Sequence, residues 1–469
     1  VAPSPQLGPL ASRVQPVGLN PALMAAAAAA AKAAALAGAA QRAQKPETIG
    51  LVLPSQMAAQ KNPPKTPARP GSVDFASLAK QLKEQRNMLR ASMIKAKNEF
   101  EDHQERKGVD QNDGYLIAKE GDQLGNPPRY VVEGGGALGN GAFSAVFKAR
   151  DPLDPSKRFA VKVIRANQMM RKAAAKEIEI LQKVQKLCDE KKCKRFVRFY
   201  DHFDHQNFLC MGFELMWKNL RGAMKEKTKG RGGFDMAMVH SCARQILEGL
   251  EILDELNIVH TDCKPDNILI DSDYAQVKIC DLGAAMDVED SFVTPYLGPR
   301  YYRAPEVMLG CEYNCSLDMW SFGCTLYELF SGSILFTGES NNEMLRAQMK
   351  LCGPIPDELL DRGQFTKQHF GENGDFKIAR SKKANAATED LPTEDATFIK
   401  KADLEATVFL KELAPKFCTK EQRDNEIHMD QVYDLIDLIQ KCLQLNPKDR
   451  ITPSDALRHP FIVACTKKR

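Results

Sequence analysis

The sequence predicts a two-lobed α+β domain that follows a disordered N-terminal extension. Between residues 130 and 461, strand-like segments come first and helix-like segments follow, which is typical of an α+β body. The first 71 residues are rich in Ala, Pro and Gln and nearly lack aromatic side chains, so they cannot bury enough apolar surface to fold. At 469 residues the chain is also longer than one typical domain.

Composition excludes several classes of protein. The net charge of +4 arises from 65 basic and 61 acidic residues, so neither direct nucleic-acid binding nor membrane binding is expected. The alanine-rich run around Lys32 is too weakly hydrophobic for a membrane span. The 13 cysteines are irregularly spaced, which predicts reduced thiols. The pairs Cys188/Cys193 and Cys311/Cys315 stay open as zinc half-sites, although no further His or Cys cluster lies close by in sequence.

Composition and periodicity divide the chain into five segments. These are a disordered Ala/Pro-rich tail (1–71), an amphipathic helix (72–108), a linker (109–129), an N-terminal lobe (130–215) and a C-terminal lobe (216–462) with a polar insert at about 373–425. The helix is predicted because apolar residues recur at three- and four-residue steps or their multiples, at Phe75, Leu78, Leu82, Leu89 and Met93. Its polar face carries both charges, which favours packing against the following domain or a partner helix.

A glycine-rich stretch and the strand after it could bind phosphate. Gly139 and Gly141 lie between two strand-like segments, where glycines let backbone amides approach phosphates; a flexible linker is the alternative. In the next strand, "FAVKVIR", an interior Lys162 needs an anionic partner, and Glu177 in the following helical segment can supply it. Such a pair would hold the ammonium against ATP phosphates, whereas a surface ion pair would contribute little.

The segment "VHTDCKPDNILI" places charged residues between aliphatic runs and reads as a catalytic loop rather than a plain polar loop. Asp262 would accept the proton of an attacking hydroxyl, and Lys264 would neutralise the γ-phosphate. Asn267, together with Asp281 at the end of the strand in "KICDLGAA", would hold Mg²⁺ through hard oxygen ligands. His260 is interpreted as a packing residue rather than a base.

In order and spacing, these motifs resemble the signature of eukaryotic protein kinases. Further similarities are "RAPE" at 303–306, "DMWSFGC" with Asp318, and "NPKDRITPSDALRHPF" with Arg450, which in kinases pairs with the glutamate that corresponds to Glu306. The resemblance implies a bilobal kinase fold, with a small β-rich N-lobe and a larger helical C-lobe, and ATP and Mg²⁺ as cofactors. The lysine of "KPDN" is the residue found in serine/threonine kinase loops.

The same resemblance implies an adenine site with residues on both sides of the base and at the hinge between the lobes. They are Leu138, Val146 and Ala160 above the base, Leu269 below it, Phe213 as gatekeeper, and Glu214 and Met216 as hinge hydrogen-bonding residues. Cys280, just before the metal aspartate, either faces this nucleotide pocket or is a buried inert thiol.

The activation segment "TPYLGPRYYRAPE" resembles that of the CMGC group and its dual-specificity tyrosine-regulated branch. In that branch a tyrosine at this place is autophosphorylated, which implies regulation at Tyr296 and its neighbour Thr294. Thr261 replaces the arginine that usually holds a phosphate from the catalytic loop. Arg300 and Arg303 are therefore the expected partners of a phosphate on Tyr296.

Within this branch, residues 112–462 resemble splicing kinases of the pre-mRNA-processing factor 4 type, through stretches such as "DGYLIAKEGDQL", "FVTPYL" and "GQFTKQHF". The resemblance implies spliceosomal protein substrates, including tri-snRNP components, and a nuclear location, whereas a monomer is expected by default. Arginine-serine repeats are absent from this sequence, and because it begins at Val1 rather than Met, an upstream segment is left open. The alternatives are a cytoplasmic growth-control kinase of the same branch and a pseudokinase scaffold.

Overall fold

The computed structural model describes residues 114–378 and 397–464, together with Asn87, Met88 and Ala91. The predicted tail (1–71) lies outside the described residues, as do all but three positions of the predicted helix (72–108).

An antiparallel sheet forms the small lobe, and larger helices form the rest of the domain, so the predicted two-lobed α+β fold is confirmed. The sheet has the strand order β1-β2-β4-β5-β7-β6, with β3 paired to β4. Its strands are β1 (Gln123–Leu124), β2 (Tyr130–Val132), β3 (Gly139–Asn140), β4 (Ser144–Arg150), β5 (Arg158–Ile164), β6 (Phe199–His205) and β7 (Phe208–Glu214). In β4 the alternation of the strand buries Ala145, Phe147 and Ala149 in the core of this lobe.

The sheet begins further towards the N-terminus than the predicted lobe boundary. Strand β1 lies within the segment predicted to be a linker (109–129), and it pairs with β2 through Leu124 opposite Tyr130. Leu124 is buried in the small-lobe core. A strand of two residues is too short to show a hydrophobic period, so the sequence carried no signal for it.

One long helix, α1 (Gln168–Lys191), packs against the sheet. Asn167 caps its N-terminus by accepting from two backbone amides of the first turn. Its apolar face buries Ile180 and Val184, and the same face places Glu177 towards the interior. The helix thereby presents a carboxylate to the cleft between the lobes.

The large lobe is built around two buried helices, α3 (Met236–Glu255) and α5 (Ser316–Ser331). Helix α5 is buried along almost its whole length, with Trp320 and Phe322 at its centre. The other helices are α2 (Leu220–Thr228), α4 (Pro305–Leu309), α6 (Asn341–Cys352), α7 (Asp357–Arg362), α8 (Thr366–His369), α9 (Leu410–Leu413), α10 (Lys420–Arg423), α11 (Glu426–Cys442), α12 (Pro453–Leu457) and α13 (Pro460–Ala464). Within the described ranges, none of the helices is long and apolar enough to cross a bilayer.

Short strands between the lobes position the charged loops. Strand β10 (Ile268–Ile270) pairs with both β8 (Lys218–Asn219) and β11 (Val277–Ile279), and β9 (Ile258–Val259) pairs with β12 (Met286–Asp287). The segment predicted to be catalytic runs from β9 to β10, and Asp281 follows β11. Two further strands, β13 (Phe376–Ile378) and β14 (Thr397–Ile399), pair within the predicted polar insert.

Candidate active site

A cleft of about 1110 Å³ separates the two lobes. All residues predicted to bind the nucleotide line this cleft, namely Leu138, Gly139, Gly141, Val146, Ala160, Lys162, Phe213, Glu214, Met216, Leu269 and Asp281. These residues come from both lobes and from strands far apart in sequence, so the fold brings the whole predicted set to one concave surface.

Lys162 lies between two carboxylates at the inner end of the cleft. Its Nζ is 2.7 Å from Glu177 Oε1 and 2.9 Å from Asp281 Oδ1. The lysine side chain is only 14% exposed, so this is not a surface ion pair. Burial disfavours the ammonium, but attraction to Asp281 and Glu177 outweighs that penalty and raises the pKa of Lys162. The lysine therefore stays positively charged where an anion would enter.

The loop after β9 brings together the three groups predicted to carry the chemistry. Asp262 is 3% exposed, and its Oδ2 and backbone carbonyl both accept from Asn267 Nδ2 at 2.9 Å. Lys264 Nζ lies 3.2 Å from Asp262 Oδ1. A 3₁₀ turn at Pro265–Asn267 makes this close approach possible. Lys264 and Asn267 form part of the cleft wall, with Asp262 held directly behind them by these contacts.

Asp318 on helix α5 holds the start of this loop. Its carboxylate accepts from the backbone N–H groups of His260 (2.7 Å) and Thr261 (3.0 Å), and burial raises the pKa of Asp318 to about 6. Thr261 has φ +68°, a conformation that a β-branched residue rarely adopts, and its hydroxyl donates to the Ala284 carbonyl. His260 is fully buried and accepts from the Asp262 N–H, which agrees with a packing role.

Arg303 ties down the activation segment. It is buried, and it donates to the carbonyls of Leu297 (3.1 Å) and Gly298 (3.0 Å) and to Asn341 Oδ1 (2.6 Å). Gly298 has φ +73°, and a Cβ at this position would lie 2.7 Å from the Thr261 carbonyl oxygen. A glycine is therefore required where the segment crosses the catalytic loop.

The predicted regulatory residues lie in this same segment but differ in exposure. Thr294 is buried, whereas Tyr296 is partly exposed. Arg300 and Arg303 line the cleft, and Arg303 Nη2 also lies 3.4 Å from the Tyr296 carbonyl. Binding of a phosphate on Tyr296 by these two arginines stays a prediction, because Arg303 here holds the backbone of the segment.

Three contacts that hold parts of the site in place were not predicted from the sequence. At the hinge, Lys278 Nζ pairs with the Glu214 carboxylate at 2.6 and 2.7 Å, and the Glu214 N–H donates to the Arg198 carbonyl. The carbonyl of Glu214, rather than its N–H, is thus the group that can meet adenine. The partners are 64 and 16 residues away in sequence, and no local pattern links them.

The second contact fixes the glycine-rich loop from outside it. The Tyr115 hydroxyl donates to the Gly141 carbonyl at 2.7 Å, and the Arg165 guanidinium lies 4.7 Å from the centre of the Tyr115 ring. Arg165 also donates to the Ala142 carbonyl at 3.0 Å. Tyr115, ahead of the sheet, and Arg165, directly after β5, therefore together hold two backbone carbonyls of the loop.

The third contact anchors helix α1 to the segment that follows the cleft. Asp287 in β12 accepts from Lys176 (3.0 Å) and from Lys183 (2.7 Å), two residues of α1. Because α1 also carries Glu177, these pairs hold the Lys162 partner in place. All three charged groups are partly exposed, so the anchor is worth only about 1 kcal/mol.

The cleft suits a hard divalent cation bound together with phosphates. Asn267 uses its amide nitrogen on Asp262, which leaves the amide oxygen to face a cation, and Asp281 adds a carboxylate. In the described part of the chain, no group of three or more His, Cys, Asp or Glu side chains is placed to hold a metal ion. Magnesium is commonly held by one or two protein oxygens plus substrate phosphates, so Asn267 and Asp281 fit it.

The structure supports both interpretations of Cys280, a residue that faces the nucleotide pocket and an inert thiol. It lines the cleft, but its Sγ donates to the Asn267 carbonyl at 3.3 Å. Burial, with the nearby Asp281 carboxylate, raises the pKa of the Cys280 thiol. A thiol of this kind is a poor nucleophile at neutral pH.

A strand lysine paired with a helix glutamate, an aspartate in a loop between the lobes, and a second aspartate after the next strand define the active site of a protein kinase. Residues 132–462 match the sequence profile of the protein kinase domain. The chain therefore belongs to the protein kinase family, as a serine/threonine protein kinase. ATP and a divalent metal ion are the cofactors that this family uses.

The chain is also similar to individual protein kinases. The chain is 38% identical over 336 residues to serine/threonine-protein kinase prp4 of Schizosaccharomyces pombe, covering 71% of this chain and 67% of that protein. It is 34% identical over 354 residues to serine/threonine-protein kinase prpf4B of Dictyostelium discoideum, covering 75% of this chain but only 41% of that protein. It is 31% identical over 364 residues to the mouse dual specificity tyrosine-phosphorylation-regulated kinase 3, covering 77% of this chain and 58% of that protein.

Proposed function

We propose that the chain transfers the γ-phosphate of Mg-ATP to serine and threonine hydroxyls of protein substrates. The observation that carries this proposal is the position of Lys162, 2.7 Å from Glu177 and 2.9 Å from Asp281. In kinases this lysine–glutamate pair must be in place for phosphoryl transfer. The pair therefore favours an active enzyme over a pseudokinase scaffold.

The catalytic loop supplies the groups for the transfer. The substrate hydroxyl oxygen bonds to the γ-phosphorus as the bond to the ADP oxygen breaks, and Asp262 accepts the hydroxyl proton. Asn267 orients Asp262 through its 2.9 Å hydrogen bonds, and Lys264 lies close enough to neutralise charge on the transferred group. Asn267 and Asp281 would hold Mg²⁺, which when bound neutralises charge on the phosphates.

Two inactivating substitutions test the proposed activity. We expect Lys162→Met and Asp262→Asn each to lower phosphate transfer to a serine- and threonine-containing protein by about 100-fold or more, because each removes a group that acts in the transfer itself. Lys186→Met, at an exposed position of α1, is the matched control and should keep full activity. A wild-type protein that neither transfers phosphate nor gains thermal stability from Mg-ATP would instead be a scaffold.

The proposed substrates are spliceosomal proteins, including tri-snRNP components, which places the protein in the nucleus. The resemblance of residues 112–462 to splicing kinases supports this proposal, as does the similarity to the kinases named prp4 and prpf4B. Affinity purification of the tagged chain from nuclear extract, followed by mass spectrometry, should recover tri-snRNP proteins. Recovery of none of them would favour a cytoplasmic growth-control kinase of the same branch, without affecting the proposed kinase activity.

The proposed regulation is autophosphorylation of Tyr296. Its support is the resemblance of the activation segment to the tyrosine-regulated branch and the partly exposed position of Tyr296. Phosphosite mapping after expression in bacteria should find phosphate on Tyr296 in the wild type and none in Asp281→Asn. Absence of that phosphate from both proteins would reject autophosphorylation at this site.

A further inference from the structure

One arginine of the chain, Arg221, forms ion pairs with two carboxylates, one in the catalytic loop and one next to it. Asp266 lies four residues after Asp262 in the same loop, and Glu328 lies on helix α5. Arg221, on helix α2, donates to Asp266 from Nε (3.0 Å) and from Nη2 (3.0 Å), and its Nη1 donates to Glu328. The Tyr302 hydroxyl accepts from Arg221 at 2.7 Å and donates to the second oxygen of Glu328.

This cluster has the burial and charge of a binding subsite. Glu328 is 2% exposed in its side chain, and burial raises its pKa, so that its ionised form depends on a cation nearby. Asp266 and Tyr302 line the same cleft as Lys264 of the catalytic loop, and so does Arg221. Without the guanidinium, Asp266 in the cleft wall and the buried Glu328 behind it would both lose the cation that they share.

A guanidinium of a substrate could make the same contacts. The planar fork of arginine matches a carboxylate in two parallel hydrogen bonds, which a lysine ammonium cannot reproduce. Asp266 is four residues from Asp262, a distance of at most about 14 Å along the chain, and an extended peptide covers that distance in about four residues. The subsite is thus within reach of a residue that lies up to about four positions from the phosphorylated hydroxyl.

We propose that Arg221 fills an acidic substrate subsite from within the chain and is thereby a specificity-determining residue. With Arg221 in place, the kinase does not select substrates through a basic residue close to the phosphorylated serine or threonine. Lys225, one turn further along α2 and also in the cleft wall, adds positive charge on the same side. This inference rests on the proposed kinase function.

The test compares arginine with citrulline, which has the same shape but no charge. Serine peptides carry one or the other residue at each of the four positions on either side of the acceptor, and kcat/KM is measured for the full chain with each pair. In the wild type the arginine-to-citrulline ratio should stay within about threefold at every position. In R221A it should rise to about tenfold or more at one position, as expected for a charge-assisted hydrogen-bonded pair. In R221A/E328Q that preference should fall, and R231A, an exposed arginine just after α2, should behave as wild type.

Each ratio compares two peptides measured with the same variant. A general loss of activity lowers both kcat/KM values and leaves their ratio unchanged. If R221A does not fold, R221Q can be used, since its amide can still donate to Glu328. Equal ratios at all positions in the Arg221 variants would show that this residue is only structural. A strong arginine preference in the wild type that E328Q abolishes would also overturn the proposal, because Arg221 would then leave the subsite. Failure of the wild type to phosphorylate either the peptides or a serine- and threonine-containing protein, with no gain of thermal stability from Mg-ATP, would refute the kinase function itself.

Discussion

Replacing Arg450 with methionine should strongly destabilise the large lobe. Arg450 and Glu306 form two parallel hydrogen bonds, Nη1 to Oε1 at 2.5 Å and Nη2 to Oε2 at 2.6 Å. Both side chains are 0% exposed. Arg450 also donates to the carbonyls of Gln444 (2.8 Å) and Ser316 (3.1 Å), and its guanidinium lies 5.2 Å from the centre of the Trp320 ring. Methionine has a similar apolar stem, so the substitution mainly removes the charge and its donors.

The size of the effect follows from the burial of Glu306. When one partner of a buried ion pair is removed, the other is left as an uncompensated charge, which costs about 3–5 kcal/mol. In a domain of this size, about 4 kcal/mol corresponds to a decrease in Tm of roughly 6 °C. Glu306 belongs to α4, which directly follows the activation segment, so phosphate transfer should fall together with stability.

Urea unfolding followed by circular dichroism measures this change, with Arg458→Met as the control because Arg458 is largely exposed. The double variant Arg450→Met/Glu306→Leu should be more stable than the two single variants predict by addition, since no unpaired charge remains. An Arg450→Met protein within about 1 kcal/mol of the wild type would refute the reasoning, because the buried carboxylate would then need no partner.

Three further predictions concern the site. Asp287→Asn should lower kcat by about two- to fivefold, because it loosens helix α1 by about 1 kcal/mol; unchanged single-turnover rates would contradict the anchor. Gly298→Ala should reduce both activity and the free energy of unfolding, since its Cβ would lie 2.7 Å from the Thr261 carbonyl, whereas Gly136→Ala, with open space around it, should change neither. The third concerns pH. The pKa of Asp318 is raised to about 6 from an ordinary 3.8, so stability from this group is present below pH 4 and lost as the pH rises through 6. The free energy of unfolding of the wild type relative to Asp318→Asn should therefore decrease by roughly 2–3 kcal/mol between pH 4 and 7, and no change would show that folding does not raise the pKa of Asp318.

Local patterns in the sequence were sufficient for the fold class and the principal charged groups. Charged residues set between short aliphatic strands have few stable positions other than a loop at the end of those strands, so Asp262 and Asp281 could be placed in loops from their neighbours. Their catalytic and metal-binding roles depended on the resemblance of the whole set of motifs to protein kinases. The glycines at 139 and 141 were ambiguous by themselves. They became informative only together with Lys162 in the next strand, because a flexible linker would not be followed by an interior lysine.

Contacts between distant elements depended on the tertiary structure. The Arg221 cluster joins residues that lie 45, 81 and 107 positions apart, and the Tyr115 contact with the glycine-rich loop spans 26 positions. The sequence determined the order of strand-rich and helix-rich segments and which residues could carry chemistry, because those properties depend on periodicity and residue type within one element. Only the tertiary structure decided which cation neutralises which carboxylate, because such pairs depend on how the elements are brought together, and many charged residues are equally suitable by type.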